Sequence, residues 1–140
     1  MNDVQREIKR LGSGADRDEI YGAMQVLCRI GGRALPSLIR ILLDQGERYI
    51  VRCRVADTLG MLGDRKAVEP LVTILSDSDV QVRWHAIRAL AELGARSALP
   101  QLRRLAISDD GEFSITPTLR ISMKEEARKA IEQIESAAKR

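Results

Sequence analysis

His85 is the only histidine among 140 residues, so a Ser-His-Asp or Cys-His arrangement for nucleophilic catalysis would have to be built on that one ring. Its counterparts in the internal repeats described below are Arg54 and Glu126. A position that takes His, Arg and Glu in turn reads as a solvated helix face, because a general base needs a partner of fixed geometry. Cys28 and Cys53 lack Cys-x-x-Cys spacing, and with a single imidazole they do not make up a standard zinc site. Two free thiols in a reducing compartment are expected. Gly12-Ser13-Gly14 runs into Ala15-Asp16 without the Lys-Ser or Lys-Thr of a phosphate loop. The pairs Asp109-Asp110 and Glu125-Glu126 lack the ligand spacing of a calcium loop, and neighbours on a helix point in different directions. No catalytic, metal-binding or cofactor-binding residue is expected, and no cofactor.

The elements that carry these residues repeat. Shifted by 31 residues, Val51-Arg52 falls on Val82-Arg83, Leu59 on Leu90, Leu62 on Leu93, Gly63 on Gly94, Ala67 on Ala98 and Leu71 on Leu102. An earlier copy places Leu27, Gly31 and Arg33 against Leu59, Gly63 and Arg65, and a last half-copy starts at Met123. Within a unit, Val82, Ala86, Ala89, Leu90 and Leu93 keep the spacing of one helical face, and Gly94 supplies a left-handed stop. A second helix follows through Ala98, Leu99, Leu102, Leu105 and Ala106, with Pro100 in its first turn, as Pro36 and Pro70 are in theirs. At the junction Asp77-Ser78-Asp79, Ser78 and Gln81 have the spacing of a capping box.

Composition agrees with helices. Apolar residues make up 44% and aromatics only 3%, a mixture that suits interlocking helices and not a β-sandwich. A net charge of +3 argues only weakly for a nucleic-acid or membrane partner. The opening residues lack an apolar signal core and no run approaches the roughly 18 apolar residues of a membrane span, so a cytoplasmic protein is expected. The expected layout is one domain, 1–140, with a capping helix over 1–15, units at 16–44, 47–77 and 78–108, a loop at 109–118 and a terminal helix at 119–140.

The string Asp77-x-Asp79-x-x-Val82-Arg83-x-x-Ala86-x-x-Ala89-Leu90-x-x-Leu93-Gly94-x-x-x-Ala98-x-x-x-Leu102 resembles the short HEAT-like repeat of the phycobilin-lyase type, and Val51 to Leu75 gives a second match. The resemblance implies an all-α, right-handed solenoid of helical hairpins, about three full units with terminal caps, whose second helices line the concave face. It implies an adaptor or scaffold role for most such chains, chromophore handling for a minority, and DNA binding for related repeats. It also implies that Arg52 and Arg83 are rungs of an ion-pair ladder with acidic residues at the inter-repeat turns. Asp44 and Asp77 end the preceding second helices, within reach of the next first helix if the units stack.

Two surfaces are candidates for a partner. On the second helices, Leu38, Leu71 and Leu102 face inward with their neighbours, leaving Ser37, Arg40, Thr73, Gln101 and Arg104 on the outer side. Three such helices present roughly 450–600 Å², approaching one side of a standard interface. On the first helices, Trp84 aligns with Cys53 and Tyr21, a stripe that is either packing or a binding patch anchored by Trp84. The expectation is a non-catalytic protein-binding module, monomeric by itself and not an enzyme. The alternative is a chromophore-lyase subunit that needs a partner chain to complete its pocket, and the third option is a DNA-binding module.

Overall fold

The computed structural model describes residues 1–138. Its α-helices are α1 (Asp3–Leu11), α2 (Arg17–Ile30), α3 (Leu35–Leu43), α4 (Tyr49–Leu62), α5 (Val68–Thr73), α6 (Val80–Leu93), α7 (Leu99–Ser108) and α8 (Met123–Ala138). The strands β1 (Glu112–Thr116) and β2 (Leu119–Ser122) lie between α7 and α8. Short 3₁₀ turns at Gly31–Ala34, Arg65–Ala67 and Arg96–Ala98 lead into α3, α5 and α7.

Each boundary has a local cause. Asn2 forms a capping box with Gln5 at the start of α1, and the Asp16 carboxylate accepts from Glu19 N at the start of α2. At α6 the cap is Asp79, whose Oδ1 accepts from Gln81 N and Val82 N, and not the expected Ser78. A carboxylate one residue nearer the helix reaches both free N–H groups and adds charge of the right sign for the helix dipole. Gly63 and Gly94 end α4 and α6 with φ of 74° and 62°, the left-handed conformation that a side chain would oppose. In α5 the Thr73 hydroxyl donates back to Glu69 O, and the helix tightens at once into a 3₁₀ turn over Ile74–Ser76.

The first helices α2, α4, α6 and α8 stack side by side, while α3, α5 and α7 form the second layer. The core between the layers is built from fully buried leucines, among them Leu27, Leu38, Leu59, Leu71, Leu90 and Leu102. The helix α4 is buried on most sides, because it meets α2, α3 and α6 at once. At one end α1 packs on α2. At the other, α8 lies against both α6 and α7 and buries Met123, Ala127, Ala130 and Ile134.

The junction 109–118, expected as a loop, is an antiparallel hairpin in which Glu112 pairs with Ser122 and Phe113 with Ile121, with an irregularity between Ser114 and Thr116. Consequently α8 begins at Met123 and not at residue 119, and residues 139 and 140 of the expected terminal helix lie outside the described residues. Alternating Phe113 and Ile115 opposite Leu119 and Ile121 is a strand pattern, with Pro117 at the turn. The hairpin base is fixed by Lys124 Nζ to Asp110 Oδ1 at 2.8 Å and by Met123 N donating to Gly111 O at 3.0 Å. Gly111 passes so close to the Arg83 guanidinium that a methyl group there would collide with it, and would lie 2.8 Å from Asp109 Oδ1.

The two repeated arginines pair one turn later in the chain than their spacing suggested. Arg52 Nη2 donates to Asp77 Oδ2 at 2.6 Å and its Nε donates to Leu42 O at 2.9 Å, with both charged side chains almost wholly buried. Arg83 grips both oxygens of Asp109, at 2.8 and 3.0 Å, and donates to Asp77 O. Asp44 does not join Arg52; it is exposed, and its Oδ1 accepts from Gly46 N within its own turn. Each guanidinium thus binds the carbonyl end of the preceding second helix and the carboxylate that follows its own unit. Burial pushes the Asp77 carboxyl up, but hydrogen bonds from Arg52, Asp79 N and Gln45 outweigh it and hold the group below its ordinary value.

Candidate functional site

The outer residues of the second helices divide between exposed and half-buried positions. Arg40, Thr73 and Arg104 are exposed, and Ser37 and Gln101 are half-buried. Gln101 Oε1 accepts from Arg104 Nη1 at 3.0 Å, which ties two of the five together. Trp84, read as either packing or the anchor of a surface patch, is half-buried and packs inside the molecule: its Nε1 donates to Glu126 Oε2 at 3.1 Å and its ring meets Phe113 edge-on.

A recess lies instead on the first helices. α2, α4 and α6 border an open groove of about 730 Å³. Its apolar lining is Ile20 and Met24 from α2 with Ile50 and Met61 from α4, and Tyr21 stands on its margin 53% exposed. Charged side chains of both signs surround that lining: Arg17 and Asp18 at the start of α2, Arg54 and Asp57 on α4, Arg88 and Glu92 on α6. Arg54 also donates to Leu11 O, which ties the end of α1 to the groove.

His85 does not project into solvent as a freely exchangeable surface position would. It is half-buried on the groove wall, with Nδ1 2.7 Å from Asp57 Oδ1. The signal for this pair was present in the repeat. A shift of 31 residues puts Asp57 level with Arg88, one helical turn beyond His85 on the neighbouring helix. The contact runs across the repeat, from one first helix to the next, whereas Arg54 and Glu126 are equivalents of His85 along it.

Cys53 borders the same groove at 1% exposure. Burial, reinforced by the negative charges of Asp79 and Asp57, pushes its thiol up to about 12. It is therefore an S–H group and not a thiolate nucleophile at neutral pH. Among the described residues no cluster of three or more His, Cys, Asp or Glu is placed to hold a metal ion, and no helix is long and apolar enough to cross a membrane. The groove joins an apolar floor to a rim of guanidinium and carboxylate groups. Such a site suits an elongated ligand that is apolar along its body and charged at its edges.

Comparison with known proteins agrees with the helical architecture and changes the functional expectation. The pattern of HEAT repeats matches residues 35–114. The chain is similar to phycocyanobilin lyase subunit alpha of Picosynechococcus sp., 38% identical over 78 residues, which is 52% of this chain and 29% of that protein. It is similar to deoxyhypusine hydroxylase of Schizosaccharomyces pombe, 34% identical over 74 residues, 51% of this chain and 23% of the other. Among solved structures, the complex of CpcE and CpcF of phycocyanin lyase from Nostoc sp. contains a chain that superposes with a TM-score of 0.68 at 26% identity, over 99% of this chain and 55% of that one. These matches span well under two thirds of each relative's length.

They overturn the expectation of a non-catalytic scaffold or adaptor that is not an enzyme. The proteins this chain is similar to are named as a lyase subunit and a hydroxylase, and the solved relative is a lyase made of two chains. The alternative, a lyase-type subunit that handles a chromophore, is the reading they favour. Repeat architecture carries no catalytic motif of its own, so the preference for a scaffold rested on the commonest use of the fold and not on a site.

Proposed function

We propose, from the premise that this chain belongs to the HEAT-repeat family, that it is a bilin-handling module of a lyase-type enzyme and that the groove of α2, α4 and α6 holds the open-chain tetrapyrrole. The observation that carries the reading is the make-up of that groove in a chain similar to a phycocyanobilin lyase subunit. A bilin is a long conjugated body with pyrrolic N–H donors and two propionate groups. Ile20, Met24, Ile50 and Met61 offer the body an apolar bed, and Tyr21 a ring face. Arg17 and Arg88 suit the propionates through charge-assisted hydrogen bonds, and Asp57 suits the N–H donors.

Cys53, held as a protonated thiol, leaves the bilin non-covalently bound. The acceptor thiol comes from another protein and adds across a carbon–carbon double bond of the bilin: one S–C bond forms, the thiol proton passes to the adjoining carbon, and nothing is released. His85, steadied by Asp57, is the imidazole at hand to pass that proton.

A second chain completes the enzyme in this reading, as the two-chain relative supports. Its docking face is the outer side of α3, α5 and α7, with Ser37, Arg40, Thr73, Gln101 and Arg104. The exposure of Arg40 and Arg104 supports that assignment. A cytoplasmic location belongs to the same reading, supported by Cys28 and Cys53 standing as separate thiols.

The test is to add phycocyanobilin to the purified chain and follow its absorbance, then to supply a second lyase chain and an acceptor protein and look for colour that survives denaturation. A spectral change on binding that Arg17→Glu with Arg88→Glu abolishes is expected. No spectral change with the unaltered chain, or attachment indifferent to the double variant, would end the proposal.

A further inference from the structure

Phe113 of β1 and Trp84 of α6 meet edge to face, with ring centroids 5.2 Å apart. The indole is held from a second direction by its hydrogen bond to Glu126 of α8. The Arg88 guanidinium lies 4.7 Å above the indole ring, and the His85 ring stands edge-on to it at 4.9 Å. Arg88 and His85 line the groove, whereas Trp84 is not part of its wall. One side chain behind the groove therefore touches two that are in it, and the hairpin braces that side chain from the far side.

We propose that Trp84, clamped by Phe113 and Glu126, is a positioning residue that sets Arg88 and His85 for the ligand, so that the hairpin governs how well the groove binds. The inference rests on the groove being the ligand site. An unrestrained arginine on a helix surface samples many rotamers and loses them when it pairs with a carboxylate. Stacked on a fixed indole, Arg88 has given up part of that freedom beforehand. His85 is steadied likewise, by Asp57 on one side and the indole edge on the other. The hairpin can act as a firm brace because Arg83 holds Asp109 with two hydrogen bonds at its base.

Phe113→Ala in the full chain tests this, with Phe113→Tyr as the variant that restores a ring. Three readings are taken: the emission maximum of Trp84, which is the only tryptophan, the ring-proton resonance of His85, which is the only histidine, and the affinity for phycocyanobilin by absorbance titration. In Phe113→Ala the emission moves to the red, the His85 resonance shifts, and affinity falls by about tenfold, the loss of one aromatic contact at the upper end of its range. Circular dichroism keeps its helical form, and Phe113→Tyr returns all three readings towards the original. If Phe113→Ala loses helicity, Phe113→Leu keeps the apolar contact without the ring and makes the same comparison. A red-shifted Trp84 beside an unmoved His85 resonance and unaltered affinity overturns the coupling. Failure of the unaltered chain to take up phycocyanobilin would instead strike the proposed ligand, while the His85 resonance would still decide whether the hairpin reaches the groove.

Discussion

Asp57 Oδ1 and His85 Nδ1 lie 2.7 Å apart and join α4 to α6 along the wall of the groove. Two residues from adjacent repeats thus form a unit that neither repeat contains. At the neighbouring junctions the corresponding residues are Gln25 with Arg54 and Arg88 with Glu126, so the pair is particular to this junction of the stack.

Replacing Asp57 with Asn keeps the shape of the side chain and removes its charge. Phycocyanobilin affinity is expected to fall by about ten- to a hundredfold, the range for losing a hydrogen bond to a charged group. An absorbance titration identical to that of the unaltered chain would remove Asp57 from the ligand site.

Arg52→Ala should cost about 3–5 kcal/mol, because it strands the buried Asp77 carboxylate. Arg83→Ala should follow with a smaller loss, its partner Asp109 being slightly more open to solvent. Arg88→Ala, at an exposed position, should cost about 0–1 kcal/mol. Urea midpoints measured together check the order, and equal midpoints for Arg52→Ala and Arg88→Ala would refute it.

Acid should weaken the fold through Asp77. Its carboxyl sits below the ordinary value of 3.8 when folded, so the stability it contributes is present above that value. It is lost as pH falls through the folded value. The urea midpoint is expected to drop on acidification below about pH 4. In Asp77→Asn the midpoint should be lower at neutral pH and the acid slope shallower. An unchanged slope would show that other carboxylates dominate the acid response.

Cys53 should resist alkylation in the folded chain, since its thiol is buried and pushed up to about 12. Iodoacetamide at pH 8 followed by mass spectrometry is expected to leave Cys53 unlabelled until denaturant is added. Fast labelling of native protein, or phycocyanobilin found covalently on Cys53, would contradict a purely non-covalent groove.

Arg40→Glu combined with Arg104→Glu should weaken capture of the second lyase chain, most at low ionic strength, while helicity and melting temperature stay nearly the same. Surface plasmon resonance at two salt concentrations measures it. Undiminished capture would move the docking face away from α3, α5 and α7.

The repeats were legible because Leu, Ala and Gly recur at fixed offsets, and that periodicity dictates which helix faces are buried. Legible too was the special standing of Arg52, Arg83 and Asp77, although not which arginine the Asp77 carboxylate takes, nor the part of Asp109. A guanidinium on a first helix reaches both the turn before it and the turn after its own unit, and linear spacing does not choose between them. The hairpin escaped notice because its strands are short and mostly exposed, with only Phe113, Ile121 and Ser122 half-buried. The groove was legible in part, since Tyr21 and Cys53 of the first-helix stripe border it while Trp84 lies outside its wall. The rest of its lining comes from three helices and mixes core-type apolar residues with surface charges, and only stacking sets Ile20, Ile50 and His85 round one recess.

At one end of the described stack α1 covers α2, and at the other α8 and the hairpin cover α6 and α7. A duplicated unit has a ready-made place inside the stack. One inserted between α5 and α6 would meet an α5 on one side and an α6 on the other, the neighbours it already has. A lineage of such chains can therefore lengthen from the middle, and each insertion adds a new seam between first helices, a place for a pair such as Asp57 and His85 to arise.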